Sequence, residues 1–275
     1  MRIDLHTHSH HSDGVLSPAA LVALAAQRQV ELLALTDHDS VAGCAEAMAA
    51  CVQAGIRFVP GTELSCHWRE REIHIIGLRL DPAAPALLAH CDAMLTSRRQ
   101  RIESIASRLT RAGLPGVQLA ALTQQAALPT RTHLARAMVQ LELASSVQQA
   151  FDRWLGRGRA GHVRAQWPEL VTAVQRIVDA GGIAVLAHPH RYQLSAGALR
   201  ELAGEFQRAG GAGIEVSLAG MGAGDIERAA GLARRYHLAG SVGSDFHEPD
   251  LPWRPLGRFA KLPDLITPIA AQLVS

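Results

Sequence analysis

Short apolar runs that end in histidine, aspartate or glutamate recur from one end of this chain to the other. Ile3-Asp4-Leu5 leads to His6 and His8, and Leu32-Leu33-Ala34-Leu35 leads to Asp37-His38-Asp39. Phe58-Val59-Pro60 precedes Glu63, and Glu72-Ile73 precedes His74. Ile183-Ala184-Val185-Leu186 precedes His188, and Ser241-Val242-Gly243 precedes Asp245 and His247. Such runs read as buried strands, and in a (β/α) barrel the strand ends converge on one mouth. Carboxylates gathered there neutralise clustered cations, while neutral imidazoles add affinity without charge. The pattern therefore predicts a polynuclear metal hydrolase. In His6-Thr7-His8, residues two apart on an extended strand face the same side and can grip one cation.

Strand-like runs alternate with helical ones, which predicts a parallel α/β architecture. Ser17-Pro18 opens a helix as N-cap and first-turn proline, Val30 to Leu35 reads as strand, Val41 to Ala54 as helix closed by Gly55, and Ile56 to Val59 as strand. The rhythm stops after Leu80. From there to about Ala165 the sequence predicts helices only, over Ala86 to Arg111, over Leu119 to Leu143 with a break near Pro129, and over Ser146 to Leu155. Alternation resumes at Pro168. The predicted organisation is a barrel of residues 1–85 and 166–275 with a helical insert of residues 86–165. A chain of 275 residues, 48% hydrophobic with net charge +2, suits one large core and excludes a disordered protein or a general nucleic-acid scaffold. An aromatic content of 4% argues against a long groove for single strands. Cys44, Cys51, Cys66 and Cys91 lack paired spacing and read as reduced core residues. With no leader-like start and no span-length apolar run, a cytoplasmic protein without membrane association or obligate protein partner is expected.

The motifs His6-Thr7-His8-Ser9, Asp13-Gly14, Leu35-Thr36-Asp37-His38-Asp39, Gly61-Thr62-Glu63-Leu64-Ser65, His74-Ile75-Ile76-Gly77, Ala187-His188-Pro189 and Gly243-Ser244-Asp245-Phe246-His247 resemble, in order, those of the PHP (polymerase and histidinol phosphatase) superfamily. The resemblance implies a distorted (β/α)7 barrel and a trinuclear site for phosphoester hydrolysis. It implies a first metal on His6, His8, Glu63 and Asp245, a second on Glu63, His74 and His188, and a third on Asp13, His38 and His247. Glu63 would bridge, and Asp13 and His247 would also face substrate. It favours manganese, with iron or zinc as alternatives that the mixed nitrogen and oxygen donors equally suit. Binuclear amidohydrolases also begin with H-x-H but resemble one another in bridging metals through a barrel lysine. Of the 27 basic residues here only Lys261 is lysine, beyond the last ligand motif. A carboxylate bridge at Glu63 follows.

Pro129-Thr130-Arg131-Thr132-His133-Leu134-Ala135 and the stretch from Phe151 through Trp154-Leu155-Gly156-Arg157-Gly158-Arg159 to Val163 resemble the insert of the branch containing 3′,5′-nucleoside bisphosphate phosphatases and 5′-end-trimming exoribonucleases. The implied substrate is a nucleotide such as adenosine 3′,5′-bisphosphate, or a short RNA. The insert concentrates Arg98, Arg99, Arg101, Arg131, Arg136, Arg157 and Arg159, and guanidinium suits bidentate phosphate binding. Arg99, Arg131 and His133 are the expected anchors of a distal 5′-phosphate, with Arg191 also reaching substrate. The expected chemistry is in-line attack on phosphorus by a metal-bridging hydroxide, with Glu63 and Asp245 central to it. His190, Asp245 or a water are alternative proton donors to the leaving oxygen. A histidinol phosphatase and a non-catalytic metal-binding regulatory domain are the alternative functions.

Overall fold

The strand Leu32-Leu33-Ala34-Leu35 is buried along its whole length, as a strand covered on both faces must be. It is the second of seven strands in a computed structural model that describes residues 1–273. The strands are β1 (Ile3–Asp4), β2 (Leu32–Leu35), β3 (Arg57–Trp68), β4 (Arg71–Leu78), β5 (Ile183–Leu186), β6 (Gly213–Leu218) and β7 (Ala239–Gly243), and they pair in sequence order. Bonding of Leu5 N–H to the Val242 carbonyl at 3.2 Å, and a bridge between Thr7 and Phe246, bring β7 back against β1. The architecture is the expected distorted seven-stranded α/β barrel.

Helices α1 (Pro18–Gln27) and α2 (Cys44–Ala54) cover the first strands. Ser17 caps α1 through the Ala20 N–H, and Gly55 ends α2 at φ 67°, where glycine avoids the steric penalty.

The predicted all-parallel order fails at one place. β3 runs to Trp68 rather than stopping at Val59, and it turns directly into β4, which is antiparallel to both neighbours. Pro60 marks the handover: up to Pro60 the strand pairs with β2, and from Gly61 onward it pairs with β4. Glu63 and His74 consequently lie inside strands, not at their carboxyl ends as the sequence suggested. Because β4 runs in reverse, its beginning is the part that reaches the mouth.

Helices α3 (Pro85–Arg111), α4 (Gly116–Thr123), α5 (Arg131–Gln140) and α6 (Val147–Ala150), the last continuing into a π-helical turn at Phe151–Leu155, fill the interval without a strand. The break predicted near Pro129 within Leu119 to Leu143 separates two helices, since α4 stops at Thr123 and α5 starts from the Thr130 cap. These helices close around their own core of Ile102, Ile105, Leu109, Leu119, Leu134, Met138 and Leu155. α7 (Leu170–Asp179) lays Leu170, Ala173, Val174 and Ile177, a helical-period stripe, on the barrel. α8 (Ala196–Arg208) and α9 (Ala223–Tyr236) complete the outer layer. Among the described residues no helix is long and apolar enough to cross a membrane. The four cysteines are free, with Cys44, Cys51 and Cys66 buried.

Candidate metal centre

Two glycines let the mouth close. A Cβ at Gly243 would lie 2.5 Å from His6 Cβ, and one at Gly14 would lie 2.4 Å from the His8 carbonyl oxygen, so β7 and the Asp13 loop approach β1 only because these residues are glycine. His6, His8, Glu63, Asp13 and Asp245 are thereby all at most 4% exposed.

The two carboxylate oxygens of Glu63 divide the imidazoles between them. Oε1 lies 3.0 Å from His74 Nδ1 and 2.8 Å from His188 Nε2. Oε2 lies 3.3 Å from His6 Nε2, 3.4 Å from His8 Nε2 and 3.0 Å from His38 Nδ1. Asp245 Oδ1 sits 3.3 Å from His6 and 3.2 Å from His8, while Asp13 Oδ1 sits 3.2 Å from His247 Nε2 and 3.7 Å from His38 Nε2. All nine ligand residues implied by the resemblance thus meet in one cup. The grouping differs in detail: donors cluster as His6, His8, Glu63 and Asp245, as His38, Glu63 and His74, and as His8, Asp13, His38 and His247, each within 4.8 Å. His38 and His8 each join two groups.

The donor set fits divalent cations. Asp13 Oδ1, Glu63 Oε2 and His38 Nδ1 are buried without a hydrogen bond, although Glu63 and His38 face each other closely. Buried polar atoms normally have a partner, and a cation shared by these converging carboxylates and imidazoles would supply one. Burial opposes ionisation of Asp13, Glu63 and Asp245, yet the surrounding imidazoles, and for Asp245 foremost the Arg191 guanidinium, hold all three carboxyls well below their usual range. Burial drives His8 down to about 3 and His188 to about 4, leaving them neutral donors. Burial also opposes the charge on His74, but Glu63 and Glu72 carry it up to about 10. His6 is raised likewise, against burial, by Glu215 and Glu63. Protons on His6 and His74 occupy lone pairs that a cation would take.

Several residues that organise the cup went unrecognised as functional in the sequence. Glu215 is fully buried; its Oε1 takes His6 Nδ1 at 2.8 Å and its Oε2 accepts the His188 backbone N–H at 2.5 Å. One carboxylate thus aims His6 Nε2 inward and holds the left-handed backbone of His188, at φ 26°. The register of β6 against β7 slips between Glu215 and Ser217, the kind of irregularity that re-aims side chains beside active sites. Asp4, pushed up to about 6 by burial, accepts from Ser244 N at 2.9 Å and Gly257 N at 2.8 Å, anchoring the loop that carries Asp245. Arg254 lies 3.1 Å from Asp245 Oδ2, which Arg191 also contacts. The signal available for Glu215 and Asp4 was a lone acid inside an apolar strand. Asp37, which the sequence did mark with Asp39 as flanking His38, accepts from Ser9 and Ser12, fixing the loop that leads to Asp13.

Beside the cup, a cavity of about 150 Å³ is lined by Asp13, His38, His74, Arg98, Arg101 and Arg131 among others. It shares Glu72, Arg101 and Arg131 with a larger cavity of about 290 Å³ that adds Arg71, Arg157, Arg164, Arg191 and Tyr192. Of the expected anchors, Arg131 lines both. Arg99 is exposed and lines neither; Arg101, on the same helix, is the residue that faces the cavities. His133 serves in the Thr130 capping box, its Nδ1 accepting the Thr130 N–H at 3.2 Å. Arg136 donates to the Asp13 carbonyl at 2.9 Å and so seats the insert on a ligand loop. Burial and Arg191 push His190 down to about 4, so it is neutral near pH 7.

A distorted seven-stranded barrel with a carboxylate and imidazole cup at its mouth defines a metal-dependent hydrolase. A PHP domain model matches residues 4–89. The chain is 40% identical to a 3′,5′-nucleoside bisphosphate phosphatase of Chromobacterium violaceum over 98% of this chain and 96% of that one. It is also 40% identical to a 5′-3′ exoribonuclease of Haemophilus influenzae, covering 98% and 97%. The solved structure of an amidohydrolase from Chromobacterium violaceum, with bound sulfate and no metal, superposes with TM-score 0.93 at 39% identity over 99% of this chain and 96% of that one. The chain belongs to the PHP family.

Proposed function

We propose that this protein is a metal-dependent phosphomonoesterase that removes the 3′-phosphate of nucleoside 3′,5′-bisphosphates such as adenosine 3′,5′-bisphosphate. The observation that carries the reading is the arginine-lined cavity that opens directly onto the cup and shares its walls. A substrate with two phosphates needs two anionic seats of different kinds. One seat is the cup, where His6, His8, Asp13, His38, Glu63, His74, His188, Asp245 and His247 would hold three divalent cations, manganese being favoured. Cations bound there supply a nucleophile at neutral pH and neutralise the phosphoryl oxygens.

The chain's own residues do the rest. Glu63 presents one oxygen to each half of the cup, and with Asp13 and Asp245 it supplies three negative charges against the cations. Arg101 and Arg131 hold the 5′-phosphate, and Arg191 spans from that cavity to Asp245 Oδ2. His190 is neutral and Asp245 ionised, so neither stores a proton near pH 7, and the departing 3′-oxygen takes its proton from water in the cup. The free cysteines support a reducing, cytoplasmic setting.

Phosphate release by the manganese-loaded protein, measured side by side on adenosine 3′,5′-bisphosphate, histidinol phosphate and a 5′-phosphorylated oligoribonucleotide, tests the reading. The bisphosphate is expected to be turned over fastest, and indifference to it sinks the proposal. One observation favours a second activity: past Arg131 the cavity continues to Arg71, Arg157 and Arg164, more positive charge than one phosphate needs. A 5′-phosphorylated RNA end would fill it, consistent with the exoribonuclease relative.

A further inference from the structure

The helical insert, which forms a cap beside the cup, holds the Arg98 guanidinium out of water. Arg98, in the middle of α3, is 7% exposed, although its neighbour Arg99 lies in solvent. Its Nε and Nη2 both donate to Asp39 Oδ2, at 2.9 and 2.5 Å, and Nη2 donates also to Ser65 Oγ at 2.9 Å. The Trp167 ring covers the guanidinium at 4.8 Å. A bidentate, shielded pair of this kind fixes geometry far more firmly than a surface pair.

What it fixes is the residue after a ligand. Asp39 follows His38, has a left-handed backbone at φ 42°, and receives a second clamp from Ser65 N–H on Oδ1 at 2.7 Å. Its own N–H bonds the Glu63 carbonyl at 2.9 Å, while Glu63 N–H bonds the Asp37 carbonyl at 3.0 Å. His38 is thus suspended between two anchored aspartates, one held by the barrel loop and one by the cap. With His8 and Glu63, it is one of three residues that join two of the donor groups.

We propose that Arg98 is a positioning residue: by clamping Asp39 and Ser65 it holds His38 in its cation-binding orientation and makes seating of the cap a condition of full metal loading. The proposal rests on the metal-cup reading above. Coulomb's law alone predicts the reverse effect, since deleting a cation beside the cup would favour other cations. The sign of the change therefore separates positioning from charge.

The test is manganese titration of the full chain, followed by the electron-spin signal of free ion, with no substrate present. Removing an outer support of a ligand typically weakens metal binding by about 10- to 100-fold, so Arg98→Met is expected to weaken its loosest manganese step on that scale. Arg99→Met, on the same helix but in solvent and without a bond to Asp39, is expected to leave the titration unchanged. If Arg98→Met does not fold by circular dichroism, Arg98→Lys, which keeps the charge and loses the fork, is read in its place with the same expectation. Wild-type affinity or tighter in the folded Arg98 variant overturns the proposal, as does equal weakening in Arg99→Met. Failure of the wild-type protein itself to bind manganese overturns the metal-cup reading and the proposal together.

Discussion

The cup and the cap are built to opposite standards of rigidity. In the cup most of the nine residues stand on a strand or just after one, and the left-handed backbone at His188 and Asp245 is held by His188 N–H on Glu215 and Asp245 N–H on the His6 carbonyl. In the cap the arginines stand on helices around a separate core, and apart from the buried Arg98 those facing the cavity differ in solvation: Arg131 keeps 31% of its side chain exposed and Arg101 9%. The contrast assigns different work to the two parts. Chemistry needs donors fixed to fractions of an ångström, whereas recognition of a phosphate tolerates mobile guanidiniums. Perturbing the cup should therefore lower kcat and metal content, and perturbing the cap arginines that face the cavity, the clamp Arg98 apart, should raise KM.

Glu63→Gln should give the largest effect, because it removes the one charge that both halves of the cup share. Turnover should fall by about 10²- to 10³-fold, the scale on which a key electrostatic group acts, and elemental analysis should find less metal. A Glu63→Gln protein with full metal and intact kcat would contradict the bridge. Glu215→Gln should come next: metal affinity should drop by about 10- to 100-fold with modest change in KM at saturating metal. Arg131→Met should raise KM for a bisphosphate by about 10- to 100-fold, as expected for ~1.5–3 kcal/mol from a charged hydrogen bond, and leave the metal titration alone. Arg99→Met serves as its control and should change KM by less than about threefold, as surface changes do. Equal effects at 99 and 131 would erase the distinction between cavity-facing and solvent-facing arginines.

The smallest effect separating the two parts concerns protons. In the metal-free protein His74 stays protonated up to about 10, above its ordinary value, so a cation binding near pH 7 must displace that proton. Affinity should rise with pH and fall on acidification, and calorimetry in buffers of different ionisation enthalpy should show proton release on metal uptake. Absence of release would mean that His74 is not a ligand. Phosphate binding to the cap arginines, always charged, should show no matching release.

Eight of the nine candidate ligands were legible because each stands at or shortly after an apolar run, whereas Asp13, which follows His10-His11-Ser12, was reached only through the family resemblance. The hairpin of β3 and β4 was not, since its two-residue turn is Arg69-Glu70 rather than a glycine-bearing pair, with Arg69 itself at φ 54°. Arg99 and Arg101 could not be told apart from composition; which one faces inward depends on how α3 is rotated against the barrel, a tertiary fact. Glu215 and Asp4 hid as single acids within strands whose burial only the closed sheet reveals.

The β3 and β4 pairing has a further consequence. Glu63 lies opposite Ile76 and His74 opposite Ser65, so all four share one face of the hairpin. A misalignment of one position between β3 and its neighbours would rotate Glu63 and Ser65 outward at once, taking the shared carboxylate and one support of Asp39 with them. Faithful pairing and chemical competence are here a single property, so a misfolded copy of this protein is also an inert one.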